Sequence, residues 1–119
     1  MFKNLLFIFI GGGLGSVLRF IISFFNANYS YGTFLANFLG CLSIGVFMTL
    51  GQRSLFSQPV YLLLAVGFCG GFTTFSTFTA ENYKMIASGD YLEFGIYSLA
   101  TFIICLLGLI LGNKIAAAF

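Results

Sequence analysis

The sequence predicts an all-α membrane protein with four transmembrane helices, the third broken near its middle. Three observations carry this. The 119 residues are 60% hydrophobic and 7% charged, which leaves too little charge to keep a soluble surface dissolved. The apolar residues gather into four runs separated by short polar turns. Each run is near the ~20 residues needed to span the hydrocarbon core. The third run carries GFCGGFTTFSTF (67–78), where glycines and hydroxyls interrupt the apolar pattern.

The chain length allows one domain, 1–119. A net charge of +2, scattered along the chain, gives no footprint for nucleic acid. Histidine is absent and the only carboxylates are Glu81, Asp90 and Glu93. That leaves little for general acid–base work and argues against an enzyme. Cys41, Cys69 and Cys105 lie in apolar runs without metal-ligand spacing. They read as buried free thiols packing as small hydrophobes.

The first helix is expected over about 4–25. Lys3 followed by an apolar run competes as a secretory leader. The run is long for one, and no small-residue cleavage site follows Phe24 and Phe25. Gly12, Ser16, Arg19 and Ser23 fall on one helical face. The polar stretch NANYSYG (26–32) makes the turn into a second helix over about 32–51, in which Thr33 and Asn37 lie four apart. GQRSLFSQP (51–59) follows, and Pro59, the only proline, stands where it can start the third helix, about 60–86, at little cost. SGD (88–90) turns the chain into the fourth helix, about 92–114, where Tyr97, Thr101 and Cys105 form a narrow polar stripe. Short connections make neighbours antiparallel, and four crossings put both termini on one side of the membrane. Lys3, Arg53 and Lys114 fall on that side, Lys84 near the other, and Arg19 in the outer part of the first helix. The bias is weak. It leaves open a terminus-inside protein and one that inserts in both orientations. The pairs Gly11–Gly15, Gly67–Gly71 and Gly108–Gly112 permit close helix packing, within one subunit or between two. Four short helices have little room to enclose a polar path alone, so an oligomer is expected.

The third helix holds the chemistry. Gly70 and Gly71 followed by Phe72, Thr73 and Thr74 should weaken or break it near the bilayer middle. Such breaks are tolerated where the freed backbone is buried in protein or lines a cavity. Loose carbonyls there coordinate cations, and N–H groups at the restarted helix favour anions. Beyond the break Phe75 and Phe78 share a face, with Ser76 and Thr79 on the neighbouring one. In lipid such a stripe serves packing. Beside a break and hydroxyls, its rings offer partly positive edges to a small anion. A path lined by Asn37, Phe75, Phe78 and Thr101 would hold an ion weakly, as conduction requires. The residues alone leave the ion unnamed.

Three segments carry a resemblance: GGGLGSVLRF (11–20), YGTFLANFLG (31–40) and GFCGGFTTFSTF (67–78). In this order and spacing the chain closely resembles the Fluc family of fluoride channels, also called CrcB, over essentially its whole length. GGxTTFSTF is the most specific piece. The resemblance implies an antiparallel, dual-topology homodimer with two fluoride pores, in the inner membrane of a bacterium, exporting fluoride passively and so lowering its toxicity. It implies that Phe75 and Phe78 are pore phenylalanines near the subunit interface, with Ser76 and Thr79 beside them. Asn37 is similar to the asparagine lining the pore, and Thr33, Tyr97 and Thr101 to the polar track beside it. Arg19 and Glu81 are assigned to the aqueous vestibule. The backbone carbonyls of Gly70 and Thr73 are assigned to a structural sodium ion at the dimer centre. Cys105 departs from the family pattern, which often has a serine there. A thiol is the weaker donor. The alternative is a small proton-coupled multidrug exporter of four-helix type. It needs a membrane-embedded acid, and the first helix has none.

Overall fold

The computed structural model describes residues 1–26 and 29–119. Four helices in it are long and apolar enough to cross a membrane: Phe2–Asn26, Tyr31–Gln52, Gln58–Ser88 and Tyr91–Ala117. The protein is a multi-pass membrane protein. Its longest dimension is 48 Å, enough to cross a hydrocarbon core of about 30 Å. The spans depart from the expected limits by one to three residues. The third begins earlier because Pro59 occupies its first turn, where a missing N–H is harmless. Residues 27 and 28 of the first polar turn lie outside the described residues.

The glycines set which spans touch. Gly11 and Gly15 of the first span lie against the backbone of Leu63 and Phe68, and Gly67 and Gly71 of the third against Ile8 and Gly12. A Cβ at Gly71 would collide with the Gly12 backbone. Two GxxxG pairs therefore interlock the first and third spans. Lipid offers no hydrophobic drive for helices to associate, so this close packing supplies the contact. Gly112 does the same for the fourth span against Leu42, and Gly45 of the second lies against Leu109. All three expected pairs are engaged inside one chain.

The second and fourth spans run parallel. Gly45 meets Leu109, and Thr49 meets Asn113, whose Nδ2 donates to Thr49 Oγ1 over 2.7 Å. Residues 64 apart in sequence thus lie side by side. At the next turn the Arg53 guanidinium donates to the carbonyls of Ala116 and Ala117, closing the end of the fourth span.

The third span has three regimes. It enters as an α-helical turn, Gln58–Tyr61, widens to a π-helix over Leu62–Phe68, and tightens again over Cys69–Phe72. Thr73 (φ −80°, ψ 155°) and Thr74 (φ −149°, ψ 111°) are extended, and a new helix runs Phe75–Ser88. The break lies one step beyond the glycine pair. Gly71 stays helical, its lack of a side chain serving the contact with the first span. The interruption falls on two β-branched residues, which accept extended backbone readily. The π-helical stretch was not anticipated from the sequence. The span ends at Gly89, whose φ of 84° is open to glycine without strain. Its N–H and that of Asp90 close on the carbonyls of Ile86 and Met85.

Candidate functional site at the broken helix

Asn37 holds the break. Its Oδ1 accepts from the Thr74 N–H over 2.7 Å, and its Nδ2 donates to the Thr74 carbonyl over 3.2 Å. One buried amide thus replaces both neighbours that Thr74 lost when the helix opened, which answers the cost of unpaired backbone in lipid. The Thr74 hydroxyl then caps the restarted helix, accepting from the Thr77 N–H at 3.2 Å. Both bonds have a consequence one turn back. In an unbroken helix the Thr74 N–H would serve the Gly70 carbonyl, and the Thr77 N–H the Thr73 carbonyl. Both donors are diverted, to Asn37 and to the cap. The Gly71 carbonyl is served instead from the first span, by Arg19 Nε at 3.0 Å and Ser16 Oγ at 3.4 Å. Arg19 thus caps a carbonyl beside the break.

Beside the break lies a cavity of about 410 Å³ whose walls include Asn37, Thr73, Phe75, Phe78, Thr101 and Cys105. No charged side chain lines it. The Phe75 and Phe78 rings lie 6.0 Å apart, and Phe78 is 5.3 Å from Tyr97. Phe75 is 80% exposed on the single chain. The Thr101 hydroxyl is the one buried side-chain polar atom among the described residues without a hydrogen-bond partner. An orphan hydroxyl at a cavity wall is a donor held ready for something that enters, since leaving it unmade is costly.

A second polar centre forms at the far end of the spans around Glu81. Its carboxylate accepts from Thr33 Oγ1 (2.7 Å), the Tyr97 hydroxyl (2.8 Å) and Asn26 Nδ2 (3.4 Å). Asn26 in turn accepts from the backbone N–H groups of Gly32 and Thr33, pinning the start of the second span. Glu81 lines a cavity of about 490 Å³ with Asn26, Ser30, Thr77, Lys84 and Glu93. Arg19 lines a separate one of about 260 Å³ with Ser23, Thr33, Thr74 and Thr77. Thr77 borders both.

The structure thus gathers Asn37, Thr73, Phe75, Phe78 and Thr101 at one cavity, and Thr33 and Tyr97 on Glu81 one helical turn away. Ser76 and Thr79 are not brought in. Both are exposed. The Ser76 hydroxyl pairs with that of Thr74 at 3.2 Å, and the Thr79 hydroxyl donates to the carbonyl of Phe75. Gly70 is exposed, with open space beside it. Three contributors escaped the sequence reading. Thr74 carried a legible signal as a Thr ahead of a new helix. Thr77 looked like one hydroxyl among several. Asn26 read only as a turn residue.

A family model described as CrcB-like protein, Camphor Resistance (CrcB), matches residues 6–113. The chain belongs to this family. The match takes in every residue of both polar centres. Among CrcB-like relatives, a protein of Phocaeicola vulgatus is 44% identical over 115 residues, covering 92% of this chain and 95% of its own. One of Chloroflexus aurantiacus is 40% identical over 116 residues, covering 92% of each. One of Leptospira interrogans is 46% identical over 98 residues, covering 77% of each. All three carry the name fluoride-specific ion channel FluC.

Proposed function

We propose that this protein is a fluoride channel, through which fluoride leaves the cell passively and its toxicity is lowered. It is not an enzyme; its CrcB-like relatives are named as channels. The observation that carries the reading within the chain is the uncharged cavity where the orphan Thr101 hydroxyl, the Asn37 amide and the Phe75 and Phe78 rings converge. Hydroxyl and ring edge hold a small anion weakly, so it also departs. Relatives 40% and 44% identical over most of the chain supply the identity of the ion. A negative-inside potential drives an anion outward at about 2.3 kcal/mol per 100 mV, so no coupled energy source is required.

Exposed surface on the single chain supports an assembly of two copies. Phe75 is exposed although it borders the cavity. The glycine pairs are already used within the chain, so the exposed face beside the break is where a second copy completes the path. An antiparallel homodimer inserted in both orientations, in a bacterial inner membrane, fits the weak charge bias. The carbonyls of Gly70 and Thr73 would hold a structural sodium ion there. Both have lost their helical donors, carbonyl oxygens suit a hard cation, and a second copy supplies the same pair again. Bound, the ion would tie the two broken helices together by charge.

The competing multidrug exporter needs a carboxylate free to trade protons with substrate. Glu81 is instead enclosed by three donors, and the relatives' names do not favour it. Fluoride release from liposomes carrying the purified protein, followed with a fluoride electrode, tests the function. Liposomes that hold their fluoride would sink it.

A further inference from the structure

The polar rungs between the second and fourth spans include one that the function does not use. Thr49 is hydrogen-bonded to Asn113, 64 residues on, and the pairs Asn37 and Thr101, and Cys41 and Cys105, which have the same spacing, line one cavity. The thiol rung is held close from below. At Gly45 the two backbones touch, since a Cβ there would collide with the Leu109 carbonyl. One turn further on, Thr49 and Asn113 are directly hydrogen-bonded. Cys41 and Cys105 both line the 410 Å³ cavity, each one helical turn from the Gly45–Leu109 backbone contact. Neither is in a disulfide. The third cysteine, Cys69, is buried and does not line that cavity.

We infer that Cys41 and Cys105 form a two-sulfur site, in the cavity wall, for a soft cation that prefers linear coordination. The ligand count selects this class. Among the described residues no group of three or more Cys, Asp or Glu side chains converges on a metal position. A tetrahedral ion such as zinc would therefore lack its set of ligands. Soft thiolates select soft metals, and two facing sulfurs suffice for mercuric, silver or cuprous ion. Mercuric chloride is neutral and can enter from lipid as well as from water. On binding, each thiol gives a proton to water, two sulfur–mercury bonds form, and two chlorides leave. No electron changes hands. Two sulfurs presented together raise the effective concentration for the second bond, so the pair holds the metal far more tightly than either thiol alone.

The site stands independently of the channel reading. Its consequence, a plug in the fluoride path, rests on that reading. The experiment therefore has two arms, both on the intact protein with mercuric chloride as probe. In detergent, free thiols are counted by maleimide labelling after unfolding, at increasing mercury. One mercury per chain should remove two thiols together, leaving Cys69 to label. In Cys41→Ser and Cys105→Ser the bound mercury should yield to a competing monothiol at about 100-fold lower concentration. Independent loss of all three thiols, or undiminished retention in both serine variants, would overturn the site. In liposomes, mercury should stop fluoride efflux from the unaltered protein, a dithiol should restore it, and the double serine variant should be insensitive. Paired-thiol binding with undiminished efflux would support the site and overturn the placement of the fluoride path.

Discussion

Replacing Asn37 with leucine removes the clasp on the broken helix. The side chain keeps its bulk and loses both polar ends. The Thr74 N–H and C=O, on a residue only 8% exposed, are then left without partners. In water-soluble proteins each such group costs about 1–3 kcal/mol. Between membrane helices the measured couplings average about 0.6 kcal/mol per bond, because other partners are found. Two bonds, one of them a short 2.7 Å contact, place the expected destabilisation at about 2 kcal/mol, or roughly 30-fold in the folding equilibrium. Reversible unfolding in mixed micelles measures it. Loss of the amide from the cavity wall also removes a donor to the anion. Hydrogen bonds to charged groups contribute about 1.5–3 kcal/mol, so fluoride efflux should slow by about 10- to 100-fold. A variant as stable and as fast as the parent would refute the clasp and the lining role together.

Three further outcomes are expected. Replacing Phe75 or Phe78 with isoleucine should slow fluoride efflux while dimer assembly, read by cross-linking, persists; unchanged rates in both would reassign the rings to packing. Exhaustive exchange of sodium for an organic cation should loosen the dimer in detergent if the Gly70 and Thr73 carbonyls hold that ion, and a dimer indifferent to sodium would remove it. A tag on one terminus should be found on both sides of the membrane, whereas a single location would contradict dual insertion.

Much of this fold was legible because lipid imposes simple rules. Four apolar runs had to be four spans, and Pro59 had to stand near a helix start. The GxxxG pairs pointed to close contacts, and the contacts are there. The break falls within the expected stretch, on Thr73 and Thr74 and not on the glycines, because Gly71 packs against Gly12. The π-helical stretch LLLAVGF carries no local mark that separates it from an ordinary apolar helix. Which residues share a face of one helix was readable from spacing. Relations across helices were not. How the second and fourth spans lie against each other depends on the Gly45 and Gly112 contacts. Asn26 reaches Glu81 across 55 residues of sequence. The cap at Thr74 was within reach of sequence rules, and the diversion of donors from Gly70 and Thr73 follows only once that cap and Asn37 are placed.

We propose that the uncharged cavity at the broken helix passes fluoride and discriminates by ring edges and hydroxyls. Its most direct test is paired efflux from liposomes carrying the purified protein, loaded with fluoride or with chloride, under a potassium-ionophore potential. Fluoride should leave rapidly and chloride hardly at all. Equal efflux of the two anions, or no efflux of fluoride, would contradict the account.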